Sequence, residues 1–190
     1  MAASRIIFVF ALLNIHASEV TDFVERRPEL SPYQDAWKAL IAPGRYFLYQ
    51  RSYECEPFLG WDSKCVNAEL VSILEEEKTT VSKVGYWDSK KEEMVTITAY
   101  SSVRASKGYD VPNIITSSNM KGGFSVEYPV VFSEYDNCDV LRVAHRRYGC
   151  ELWVQEGKID KISSICKFVY DLVCGSEKYQ IYDEELCDGK

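Results

Sequence analysis

From Arg45 to Gln155 the chain is a succession of short β-type runs, and no other feature limits its fold so strongly. RYFLYQRSY, CVNAELVSIL, TTVSKVGYW, EMVTITAYSS, NIITSS, FSVEYPVVF, CDVLRVA and CELWVQ follow one another, each rich in Val, Ile, Thr and aromatics. Turn material separates them: Pro57, Asp88-Ser89, Gly108, Gly122-Gly123 and Gly149. A helix is expected on either side. Ser31-Pro32-Tyr33-Gln34 reads as a capping box, with Ser as N-cap, Pro at the first helical position and Gln at N3. The helix it opens would run through YQDAWKALIA to the stop at Pro43-Gly44, with Trp37, Leu40 and Ile41 on one apolar face. In Lys161 to Cys174, Ile162, Ile165, Cys166, Val169 and Val173 fall at helical spacing, which predicts a helix laid outside the β structure. Eight antiparallel strands between two helices outline an all-β, up-and-down barrel whose interior holds one small ligand. A β-sandwich is the competing architecture, but the Cys…Trp…Cys spacing of immunoglobulin domains is missing.

The first residues read as a leader. Arg5 supplies a positive n-region, Ile6 to Ile15 an apolar h-region, and Ala17 a small residue at the cleavage point. A signal peptide over 1–17 and a single domain over 18–190 are therefore expected, in a secreted protein. No later run approaches the roughly 20 apolar residues of a spanning helix. The net charge of −7 argues against nucleic acid and anionic membranes, and mildly favours cationic ligands. Seven cysteines, at 55, 65, 138, 150, 166, 174 and 187, follow the leader. Outside the cell disulfides are the default, and the odd number leaves one thiol unpaired or paired with another chain. No spacing is a CxxC pair, so no metal site is expected.

Catalytic material is sparse. After the leader, His145 is the one histidine, in the turn-like AHRRYG, and any Ser-His-Asp or Cys-His arrangement would need it. No G-x-S-x-G, P-loop or H-E-x-x-H is present. The chain reads as a binder without cofactor rather than an enzyme. The segment FSEYDNCDVLRVAHRRYGCELW, from Phe132 to Trp153, suggests what it binds. Strand alternation turns Asp139 away from Cys138 and puts Glu151 on the face of Trp153. Facing inward, two acids and an indole would make a pocket for a small cation with an apolar body. Alternation alone leaves open whether that face meets the lumen or water.

YQDAWKAL (33–40), FSEYDNCDV (132–140), and CELW followed by KIDKIS…CKF (150–168) resemble the tick salivary histamine-binding lipocalins. The match covers essentially the whole chain after the leader, more loosely between 66 and 130. The resemblance implies an eight-stranded lipocalin barrel with an outer C-terminal helix and two disulfides, Cys65–Cys187 and Cys138–Cys166. Cys55, Cys150 and Cys174 fall outside that pattern. A third bridge, Cys150–Cys174, would leave Cys55 free, and the sequence leaves that pairing open.

The resemblance further implies a monomeric salivary protein that holds a biogenic amine, histamine or serotonin, in up to two acidic pockets. A buried ammonium needs carboxylates to offset its lost hydration, and aromatic walls for its ring. Glu151, Tyr53 and Glu56 match one pocket, with Glu56 standing where the family has Asp. Asp139, Trp153 and Glu93 match the other. The walls depart from the pattern. Leu59 replaces a tryptophan, for which Trp61 would substitute on the same face of an extended segment. Aliphatic or small residues stand at Ile114 to Thr116 and at Val126. Two rival occupants follow: a lipid mediator or sterol (leukotriene, fatty acid, cholesterol) in a more aliphatic cavity, or a host immune protein on the barrel surface, met by Arg142, Arg146, Arg147 and the unpaired cysteine.

Overall fold

The computed structural model describes residues 23–187, so the leader expected at 1–17 lies outside the described residues. The eight expected strands form: β1 (Arg45–Arg51), β2 (Lys64–Leu74), β3 (Thr79–Asp88), β4 (Glu93–Arg104), β5 (Ile114–Ser118), β6 (Val126–Ser133), β7 (Cys138–Val143) and β8 (Gly149–Gln155). Each pairs antiparallel with the next, and β8 and β2 both pair with β1, which closes the barrel. Closure removes the free sheet edges that an eight-stranded meander would otherwise present. A ninth strand, Tyr179–Gln180 (β9), pairs with β1 at Gln50 and Arg51, beyond the part of β1 that β2 covers. No local pattern announces this two-residue strand. The Cys65–Cys187 bridge and buried Ile181 bring it there.

Both flanking helices are shorter than expected. Pro28–Tyr33 is a 3-10 helix with Pro32 inside it, and the N-cap of the following helix α1 (Ala36–Leu40) is Asp35, which accepts from the N–H groups of Trp37 and Lys38. Gln34 therefore caps nothing. Its fully buried side chain donates to the carbonyls of Val24 and Val131 at 3.0 Å, and accepts from Tyr109 Oη at 2.7 Å. A long-range demand for buried hydrogen bonds has overridden the local capping option. Gln34→Ala should thus cost about 2–4 kcal/mol, because two buried bonds and one part-buried bond are lost at once. The midpoint of urea denaturation measures it. Below the barrel, Ala36 packs on Ile115 and Val130, with Leu40 and Leu141 beside them, so α1 closes one end.

At the other terminus, Glu156–Lys161 is a 3-10 helix and α2 runs Ser164–Val173, with Ser163 accepting from Ile165 N as N-cap. Its inward stripe is Cys166, Val169, Tyr170 and Val173, while Ile165 faces out. The stripe packs on Val131, Cys138, Val140, Cys150, Leu152 and Val154. This explains why β7 and β8 are apolar on their outer faces: the helix, not water, covers them. Two bridges fasten it, Cys138–Cys166 and Cys150–Cys174, and with Cys65–Cys187 they leave Cys55 as a free thiol. Short α3 (Glu184–Cys187) ends the described chain. Among the described residues no helix is long and apolar enough to cross a membrane.

Candidate functional site

The covered outer face of β7 and β8 sends their alternate residues into the lumen. Asp139, Leu141, Glu151 and Trp153 all line a cavity of about 300 Å³ there. Across the ring, β2 to β5 contribute Leu70, Ser82, Val84, Ile97, Ser101 and Ile115. Leu40 and Tyr46 lie at the closed end, and Phe58, Leu59, Phe124 and Tyr128 come from the loops and strand ends at the other. The wall is largely apolar, and Asp139 and Glu151 are its two carboxylates.

Asp139 is 7% exposed and sits across from Trp153 on β8 and from Ser133 on β6. No basic side chain among the described residues pairs with it. One carboxylate oxygen, Oδ1, has no hydrogen-bond partner at all. Burial pushes its carboxyl up to about 7, against a small opposing effect from the Ser133 hydroxyl. An acid left this way is costly for the empty barrel and well prepared for an incoming cation.

Glu151, 2% exposed, is treated differently. Tyr53 Oη donates a short hydrogen bond to one oxygen, and Trp153 Nε1 donates to the other at 2.8 Å. Burial still raises its carboxyl above the usual value, and the nearby Glu56 charge adds to that. Burial and the Glu151 charge push the Tyr53 phenol well up in turn, which keeps it a donor. The Glu151 carboxylate thus orients an indole that stands directly across from Asp139.

Glu56 and Glu93 are not placed as the matched pattern implies. Glu56 is 2% exposed but does not line the cavity. Arg146 Nε and Nη2 grip its two oxygens at 3.0 and 3.1 Å, His145 Nε2 lies 3.2 Å from Oε2, and Phe58 N donates to Oε1. Burial would raise this carboxyl, but the Arg146 fork, the Phe58 amide and the charges of Arg146 and His145 hold it below the usual range. Glu93 has the same parity as inward-facing Ile97 and Ala99, yet it begins β4 at an exposed hairpin, outside the cavity. The parity is inward; the height is wrong. The surface arginines also change meaning. Arg142 is buried against Glu25, and Arg146 is spent on Glu56, so neither forms a free basic face.

The tick histamine binding protein family model matches residues 24–189. The chain belongs to the tick histamine-binding protein family. A male-specific histamine-binding salivary protein of Rhipicephalus appendiculatus is 34% identical over 151 residues, covering 74% of this chain and 72% of the relative. The fold is the lipocalin barrel of two solved neighbours. The serotonin complex of AM182 matches with a TM-score of 0.58 at 21% identity, over 80% of this chain and 92% of that one. Japanin from Rhipicephalus appendiculatus, bound to cholesterol, matches with a TM-score of 0.56 at 15% identity, over 76% and 96%. Family and fold are those of ligand-binding proteins.

Beside Trp153, further aromatic wall comes from residues that local spacing does not flag. Trp61 has a left-handed backbone (φ 72°) and points to solvent, because the 3-10 turn Pro57–Leu59 and Gly60 break the extended alternation. Leu59 lines the cavity as expected, together with its neighbour Phe58. Phe58 stacks on Phe124 with centroids 6.3 Å apart, and the His145 ring meets the edges of Phe58 and Tyr128. Phe124 lies in the β5–β6 turn, where only tertiary approach to Phe58 reveals a role.

Proposed function

We propose that this chain is a secreted monomeric carrier that sequesters a small cationic amine in the barrel, with Asp139 as counter-ion and Trp153 as aromatic wall. The observation that carries this reading is the buried Asp139 carboxylate, which faces the cavity with no basic side chain among the described residues paired to it and with one oxygen unpartnered. Family membership and the 34%-identical histamine-binding relative support it. An ammonium donating to Oδ1 would supply the missing partner and the missing charge together. Its ring would lie against Trp153, whose indole is fixed by donation to Glu151. Glu151 and Tyr53 act chiefly as the support of that wall.

Titration calorimetry with histamine and with serotonin tests the proposal. At least one should bind at micromolar concentration or tighter, and no heat at about millimolar amine would overturn it. Trp153→Leu should weaken binding about tenfold through loss of the ring contact, with the far-ultraviolet circular dichroism unchanged.

A second reading has its own observation. Apart from the two acids, the lining is dominated by Leu59, Leu70, Val84, Ile97, Ile115 and Val126, which suits a lipid mediator or sterol. Mass spectrometry of organic extracts of the purified protein separates the two: a co-purifying lipid favours this reading, and a clean extract the amine.

A further inference from the structure

Four loops meet at the open end of the barrel, and two of them are joined by charge. Glu56, from the β1–β2 loop, and Arg146, from the β7–β8 turn, lie 90 residues apart in sequence. The contact is a two-point fork, Nε on Oε2 and Nη2 on Oε1. The carboxylate is almost fully buried and the Arg146 side chain 24% exposed, so the fork caps the acid from the solvent side. Glu56 stands just behind the cavity wall, close enough to act on the charge state of Glu151 and Tyr128, which both line it. Its chemistry is that of Asp139: a buried carboxylate beside aromatic rings. The difference is the partner. Asp139 has no basic side chain on it, whereas Glu56 holds a guanidinium that belongs to the chain. A free amine would have to displace a tethered, bidentate cation, which loses no translational freedom on binding.

We propose that Arg146 is a specificity-determining residue: by occupying Glu56 as a built-in cation it removes a second amine site, and the barrel takes one amine only. The proposal rests on the reading of Asp139 as counter-ion, but its test separates the two. Removing the guanidinium leaves Glu56 with the His145 ring and the Phe58 amide as its remaining partners, next to the space the guanidinium vacates, and an external ammonium can then enter there.

Calorimetric stoichiometry with histamine and with serotonin is measured for the wild type, Arg146→Lys, Arg146→Gln and the pair Arg146→Gln/Glu56→Gln. The expected values are one, one, two and one amine per chain. Two amines on the wild type, or one still on folded Arg146→Gln, overturns the proposal. No amine on the wild type but one on Arg146→Gln sustains the masking by Arg146 and sinks the Asp139 reading. No amine on either sinks both. Should Arg146→Gln fail to fold, Arg146→Met takes its place, with two amines sustaining the proposal and one overturning it.

Discussion

Asp139→Asn is expected to abolish high-affinity amine binding while making the empty barrel more stable at alkaline pH. The affinity loss should be at least a hundredfold, about 2.8 kcal/mol, because the variant keeps the shape and removes the only cavity acid with an unpartnered oxygen. The stability gain follows from linkage. Burial raises the carboxyl to about 7, against an ordinary aspartate value of about 3.9. An acid whose folded value is raised disfavours folding once it must ionise. The penalty is absent below about pH 4, grows between pH 4 and 7, and is complete above 7, where the gap corresponds to about 4 kcal/mol. The empty wild type should therefore gain stability as pH falls through this window, and Asp139→Asn should lack that slope. Affinity runs the other way. Only the ionised carboxylate pairs with an ammonium, so wild-type binding should weaken about tenfold for each pH unit below 7. Calorimetry at pH 8 and pH 5, with urea denaturation at both, reads each slope. An Asp139→Asn protein that binds amine as the wild type does would remove this residue from the site.

Arg142 should produce the largest loss of stability. Its Nε lies 2.7 Å from Glu25 Oε1, with side chains only 5% and 4% exposed. Its Nη1 also donates to the carbonyls of Tyr148 and Val173, and the guanidinium stacks over Phe23 at 5.1 Å. One residue thus ties the N-terminal strap, the β7–β8 turn and the end of α2. Arg142→Met leaves Glu25 as an uncompensated buried charge and should cost about 3–5 kcal/mol. Adding Glu25→Gln should recover much of it, since removing both partners is far milder than removing one. Urea denaturation of the two single variants and the double variant gives the coupling energy directly. A coupling near zero would mean that the pair contributes nothing beyond packing.

Much of this molecule is legible along the chain because the information is local. Period-two alternation in CDVLRVA and CELWVQ is a property of adjacent residues, so it separates Asp139, Glu151 and Trp153 from Cys138, Cys150 and Leu152 before any fold is known. The turn residues between the runs set the number of strands in the same way. Where a strong local signal competed with a long-range need, the local signal lost. Gln34 was spelled as a helix cap, yet it satisfies Val131, 97 residues away. The apolar stripe of α2 turned to put Tyr170 inside and Ile165 outside, because bridges at Cys166 and Cys174 set its rotation.

The sequence by itself determined the eight strands, the faces their residues take and the acids that could reach a lumen. Only the tertiary structure decided which acid keeps an unanswered charge. Glu93 has the right face but stands beyond the cavity, Glu56 is neutralised by Arg146, Glu151 is bonded by Tyr53 and Trp153, and Asp139 is left alone. The reason is physical. Facing is fixed by neighbours one or two residues apart, whereas neutralisation depends on distance and burial, which closing the barrel sets and sequence separation does not encode.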